Sequence, residues 1–231
     1  MAKGIIYLMN TCVDGLVKIG KTGVDNFEQR MANLESNGYR RIAVLHREFA
    51  IKVEDYHEKE KLIHEIFSKS RVGNSELFSI DVNLVKQLMS SLEGEVIYPT
   101  DEKKEEIFEQ ATEVVETKNG VIPDGIYTLK VKTKGLGYCA EGSMQVKDGK
   151  ILILPGAKLA PITKITVKGC IAKRQSAKLD ENITKEVIEC DSPSMAATII
   201  CGHHINGWKV WKNSEGELID VYRSNANEND D

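Results

Sequence analysis

No apolar run in this chain approaches the roughly 18 residues needed to cross a bilayer, and none of its five cysteines stands in a CxxC pair. The first absence argues against a membrane partner. The second excludes a disulfide framework, because Cys12, Cys139, Cys170, Cys190 and Cys201 are odd in number and scattered. Reduced, mostly buried thiols are expected instead. Cys190, Cys201, His203 and His204 can be drawn as zinc ligands, but their spacing fits no familiar ligand pattern, so core thiols beside a polar loop are the expectation. The N-terminus runs from Met1 straight into a strand-like segment, with neither an apolar secretory core nor a small-residue cleavage site, which predicts a cytoplasmic protein. No internal repeat is found, and low complexity is confined to residues 224–231, whose Asn and Asp content predicts a disordered tail. Excess positive charge is lacking too. The net charge of −4 at face value argues against a nucleic-acid partner.

The distribution of charge changes that reading. Residues 1–82 are balanced, with 12 basic and 12 acidic side chains. Residues 83–120 carry 4 basic and 9 acidic, whereas residues 121–178 carry 11 basic and only 3 acidic. The acid therefore collects in a connecting stretch and the tail, and one segment is basic enough to attract a polyanion whatever the global charge. A chain of 231 residues can hold two small domains, each with its own core. The expected organisation is a domain at 1–82, an acidic helical linker at 83–120, a β-rich domain at 121–223 and the tail at 224–231.

Periodicity supports an α+β fold. Gly4 to Asn10 is a buried-strand run, and Leu16 to Gly20 is a second strand after the turn at Asp14-Gly15. Phe27, Met31 and Leu34 have helical spacing, closed by Asn37-Gly38. Residues 41–51 read as a strand, 54–69 as a helix with Tyr56, Leu62, Ile63 and Phe67 on its apolar face, and 76–80 as a short strand. Residues 82–93 look helical, and 101–117 form a solvated acidic helix. Past Asn119-Gly120 the texture turns to alternating residues, with strands expected at 126–131, 137–146, 150–154 and 164–173. Ser192-Pro193 starts a helix that Gly202 can end, and Asn206-Gly207 turns the chain into Trp208 to Trp211.

The order and spacing of residues 3–80 resemble the GIY-YIG nuclease superfamily. Ile5-Ile6-Tyr7 stands where the family has GIY, and Lys18-Ile19-Gly20-Lys21-Thr22 where it has YIG and the residues after it. Arg30 falls at the position of the family's helix arginine, and Glu60 at that of its metal-binding glutamate. The stretch with His64, Arg71, Glu76 and Phe78 resembles a phage and bacterial branch whose second motif reads KIG. The resemblance implies a small sheet flanked by helices and a DNA endonuclease that depends on Mg²⁺ or Mn²⁺. Tyr7 would position or deprotonate the attacking water, and Arg30 would neutralise the developing phosphate charge. Glu60 would hold the single metal ion. His64, one helical turn after Glu60, could orient that carboxylate or relay a proton. Lys18 stands where the best-known members have a second tyrosine. That role is left unfilled, or passes to Lys18 or Lys21. Gly20 permits close backbone approach.

The run Asp191 to Ala197, with Gly202, Asn206-Gly207-Trp208 and Trp211, resembles a small domain of the RAMA type, or a related uncharacterised one, found in restriction and DNA-modification proteins. The resemblance implies recognition of DNA, including modified or foreign DNA. The helix start at Ser192 and Ser194 could offer backbone N–H groups to a phosphate, with Asn206 beside it. Trp208 could stack on a base. Equally, the serines can be caps and the tryptophans core. Lys21, Lys168, Lys173 and Arg174 are the expected contacts to DNA. Two other classes stay open: a DNA-binding module with an inactive nuclease fold, and a regulatory protein-interaction protein. The sequence does not speak to oligomeric state.

Overall fold

The computed structural model describes residues 2–37, 44–100, 102–132, 138–164, 167, 173–175 and 177–223. The fold is α+β, and the chain divides into two compact units, Met1–Thr112 and Glu113–Asp231. No helix among the described residues is long and apolar enough to cross a membrane.

The first unit is built on an antiparallel sheet in the order β4-β2-β1-β3-β5. Its centre is β1 (Lys3–Thr11), whose run from Gly4 to Met9 is buried on both faces. β2 (Leu16–Gly23) and β3 (Leu45–Glu54) flank it. Alternation along β1 sends its side chains to two separate cores. Ile5, Tyr7 and Met9 meet Phe27, Met31 and Leu34 of α1 (Phe27–Asn37) on one face. On the other, Ile6 and Leu8 join Val17, Ile19, Phe49 and Ile51 beneath Ile63 of α2 (Tyr56–Ile66) and Val85 and Met89 of α3 (Val82–Ser91). Asp81 caps α3, its side chain accepting from the Asn83 amide at 2.8 Å.

Several expectations shift. The helix expected at 54–69 is shorter, because Asp55 takes a left-handed conformation (φ 51°) before it and Ser68–Ser70 close as a 3₁₀ turn after it. Leu62 is exposed rather than part of the buried face. The strand expected at 41–51 begins at Leu45, with residues 38–43 outside the described set. The edge strand is the short β4 (Leu77–Ser79). Residues 83–120, read from their charge as a solvated connection, instead carry core and sheet. β5 (Glu95–Tyr98) pairs with β3, and α4 (Lys104–Lys118) buries Ile107, Ala111 and Val114. The acidic side chains mask this stripe in the composition.

The second unit holds a sheet in the order β11-β8-β7-β6 and a two-stranded ribbon, β9-β10. Its strands are β6 (Gly125–Lys132), β7 (Cys139–Lys147), β8 (Lys150–Ile153), β9 (Leu179–Asp180), β10 (Ile183–Thr184) and β11 (Ile188–Cys190). Against the main sheet packs α5 (Pro193–Cys201), with Ser192 as N-cap and Gly202 at φ 79° ending it. Of the strand expected at 164–173, Lys164 closes a 3₁₀ turn and Lys173 opens a helical turn. Most of the residues between them, and all of 224–231, lie outside the described set.

Candidate active site

Gly20 is where the site becomes possible. It pairs across the ladder with Tyr7, and a Cβ at this position would lie 2.6 Å from the Tyr7 hydroxyl and 2.7 Å from Cζ. Only a bare backbone lets the tyrosine lie over β2 toward its outer edge. Among the described residues β4 pairs with that edge at Leu16, Val17 and Lys18. Beyond them the Glu76 backbone and the His64 side chain take up the hydrogen bonding of Ile19. The Ile19 amide donates to the Glu76 carbonyl at 3.1 Å, and the Ile19 carbonyl lies 3.2 Å from Nε2 of His64.

Charged groups from α1, α2, β2 and the β4 approach converge on this edge. Arg30 Nε donates to the Tyr7 hydroxyl at 3.3 Å. Lys18 is fully buried and ion-paired with Glu76, its ammonium 5.9 Å from the centre of the Tyr7 ring. Lys21 Nζ donates to Glu60 Oε2 at 2.9 Å, and the other oxygen of Glu60 stands 3.7 Å from His64 Nε2. Burial pushes the Tyr7 phenol above its ordinary range. Arg30 pulls it back only in part, and the Glu76 and Glu60 carboxylates add to the rise. Burial also pushes Glu76 upward, but Lys18, with Arg30 and His64 behind it, prevails and holds the carboxyl below its usual range. At neutral pH the site therefore holds a protonated Tyr7 phenol near an ionised Glu76 carboxylate.

Tyr7, Arg30, Lys18, Glu60, Lys21 and His64, read separately along the sequence, thus meet in one place. His64 also holds the sheet edge. A carbonyl can only accept, so His64 Nε2 carries the hydrogen and is committed to Ile19. Its ring also packs on Phe78, with centroids 4.9 Å apart, which ties α2 to the sheet edge. Glu76 belonged to the stretch that carries the family resemblance but gained no role from the sequence. The structure gives it the charge that balances Lys18. Among the described residues no three His, Cys, Asp or Glu side chains cluster as a metal cage. Two carboxylates stand at the edge, Glu76 paired with Lys18 and Glu60 with Lys21, and one hard carboxylate suits Mg²⁺, an ion often held by one or two carboxylates with water and phosphate oxygens completing its shell. Glu60 fits that part: it is nearly buried, and the cation it already holds sits on a flexible stem.

The residues expected to bind DNA in the second unit are mostly committed inward. Ser192 Oγ accepts from the Met195 amide at 3.1 Å. Ser194 Oγ donates to Glu113 Oε1 and accepts from the Gly207 amide, both at 2.6 Å. The anion at the α5 N-terminus is thus the Glu113 carboxylate rather than a phosphate. Burial pushes Glu113 upward, against the hydrogen bonds of Ser194 and Ser192 and the charge of Arg223. Asn206 accepts from the Trp208 amide at 3.0 Å. Trp208 is fully buried, with Arg223 over its ring at 3.9 Å, and offers no face to a base. Trp211 Nε1 donates to the Pro193 carbonyl at 2.9 Å. Gly207 lies against that same turn, where a Cβ would overlap the backbone of Pro193 and Ser194. The serines, the Asn-Gly turn and the tryptophans therefore form one internal lock. Arg174 is buried too, and its guanidinium bonds the Ala160 carbonyl together with those of Ile199 and Ile200 near the end of α5. Lys173 stays half-exposed, 3.3 Å from Asp191, while Lys168 lies outside the described residues. Cys190 and Cys201 are buried core thiols. Burial pushes Cys201 up to about 11, against the charge of Arg174.

Comparison with known families places two matches on the chain. Residues 4–93 match the T5orf172 domain, and residues 133–223 match a domain of unknown function, DUF4357. No curated protein and no solved structure matches the chain.

Proposed function

We propose that the first unit hydrolyses DNA phosphodiester bonds in the manner of a GIY-YIG nuclease, with one Mg²⁺ or Mn²⁺ held by Glu60. The observation that carries this reading is the convergence at the Gly20 edge of a hydroxyl, a guanidinium and a buried carboxylate. The T5orf172 match supports a nuclease-related or DNA-binding role for the same residues. When bound, the metal supplies charge neutralisation at the scissile phosphate and help for the departing oxygen.

The chain's own residues divide the rest. Tyr7 oxygen accepts one hydrogen bond from Arg30 and has a lone pair left for an attacking water, which it orients. Arg30, on an exposed helix face, can carry part of its charge to the phosphate. Lys18 packs 5.9 Å from the centre of the Tyr7 ring and helps to fix where the phenol lies. Glu76 keeps that lysine in place. We assign DNA targeting to the second unit from the basic excess over residues 121–178, which favours backbone contacts over base reading. Foreign or modified DNA is the substrate this assignment proposes.

Supercoiled plasmid, unmodified and base-modified, incubated with Mg²⁺ or Mn²⁺ tests the proposal. Nicking that is lost on chelation and in Glu60→Gln supports it. Binding without cleavage in every metal refutes it and leaves a DNA-binding module. That second reading has one observation in its favour, namely that Glu60 and Lys18 are both already neutralised within the chain.

A further inference from the structure

The pair between Lys21 and Glu60 joins two very unequal partners. The Glu60 side chain is 8% exposed and the Lys21 side chain 31%, at a separation of 2.9 Å. A nearly buried carboxylate needs a counter-charge, and losing one without replacement is costly. His64 is the more distant partner, its Nε2 3.7 Å from Glu60 and 3.2 Å from the Ile19 carbonyl. The carboxylate is held in the core edge by α2, whereas the lysine sits near the end of β2, opposite Ile6, on a four-carbon stem that reaches solvent.

We infer that Lys21 is an exchangeable stand-in cation: it occupies Glu60 in the resting protein, a divalent metal displaces it, and the released ammonium is then free for a DNA phosphate. This rests on the reading of Glu60 as the metal ligand. The two exchanges leave neither the carboxylate nor the phosphate without a cationic partner. Glu60 trades a monovalent partner for a divalent one, and Lys21 trades a carboxylate for a phosphate. Neither the metal nor the DNA then faces an unpaired buried charge on arrival, and each makes the other's binding easier. Metal affinity in DNA-free protein is correspondingly held down, because part of the metal's binding energy goes to evicting Lys21.

The test is Mn²⁺ titration of DNA-free, full-length protein, read as loss of the free-ion electron paramagnetic resonance signal. Lys21→Met and Lys21→Gln are compared with wild type and with Lys61→Met. Lys61 is an exposed lysine next to Glu60 in the chain that pairs with Glu65 instead, so its loss removes the same charge without touching Glu60. Both Lys21 variants are expected to bind Mn²⁺ on the order of threefold to tenfold more tightly, the equivalent of a partly exposed ion pair, and Lys61→Met within twofold of wild type. Adding Glu60→Gln to Lys21→Met should abolish the tight site. Mn²⁺ should also raise the melting temperature of the Lys21 variants more than that of wild type. Equal affinities in wild type and the Lys21 variants, with Glu60→Gln still abolishing binding, overturn the stand-in role and leave the metal ligand intact. A Lys61→Met gain equal to that of Lys21→Met overturns it as well, reducing the effect to net charge. Absence of Mn²⁺ binding in every variant removes the metal reading itself, and the inference with it.

Discussion

Replacing Gly20 by alanine separates the geometry of the site from the stability of the fold. Gly20 has ordinary strand pairing to Tyr7, so alanine suits its backbone, and the effect comes from the added methyl alone. That methyl would stand 2.6 Å from the tyrosine oxygen. To restore an ordinary contact, the phenol tip must move by roughly 0.8 Å, which disturbs its 3.3 Å hydrogen bond with Arg30. A displacement of about 1 Å at a reacting group can cost on the order of 100-fold in rate. Overpacking a well-filled core costs about 1–3 kcal/mol, and the lower end applies where the added methyl meets a side-chain tip rather than backbone. Gly20→Ala is therefore expected to stay folded, to bind DNA as wild type does and to cut about 100-fold more slowly in single-turnover assays. Cleavage within threefold of wild type, beside an inactive Tyr7→Phe, would show that the hydroxyl does not work from the place it occupies here.

The same geometry sets three further outcomes. If the Tyr7 phenolate accepts the water's proton, its raised position makes the active form a minority at neutral pH, so the single-turnover rate should climb about tenfold per pH unit through the neutral range. A flat profile would leave Tyr7 a positioning role only. A carboxyl raised in the fold, as Glu113 is, stabilises the protein below its unfolded pKa and loses that contribution as pH rises through its folded pKa. Glu113→Gln should accordingly gain in melting temperature relative to wild type between pH 4 and pH 8, and a constant offset would contradict the assignment. Gly207→Ala, whose methyl meets backbone rather than a mobile tip, should cost about 3 kcal/mol in denaturant melts, the upper end for overpacking; a loss below 1 kcal/mol would dissolve the lock at the start of α5.

Much of the first unit was legible in the sequence because its signals are local. The apolar run of β1, the helical spacing of Phe27, Met31 and Leu34, and the turn at Asp14-Gly15 each fix an element without help from elsewhere. The site residues were legible as a set only through the family resemblance. Their contacts were not, since Lys18 with Glu76 and Lys21 with Glu60 join positions 58 and 39 residues apart. β5 and the inward stripe of α4 were hidden by acidic neighbours that face solvent. The second unit misled in the opposite direction. Ser192, Ser194, Asn206 and Trp208 have the chemistry of a nucleic-acid interface, but a capping serine, an Asn-Gly turn and a core tryptophan use the same atoms. Only burial separates the two uses. Arg174 makes the same point, its guanidinium spent on the carbonyls of Ala160 and Ile199.

The central claim is that Glu60 binds the metal ion on which phosphodiester cleavage depends. Single-turnover cleavage of a labelled DNA duplex across a Mg²⁺ titration, for wild type and Glu60→Gln at matched DNA occupancy, addresses it most directly. The account predicts saturable Mg²⁺-dependent cutting by wild type, none by Glu60→Gln, and similar DNA affinity for both. Cleavage that survives in Glu60→Gln, or wild type that binds DNA and never cuts it, would contradict it.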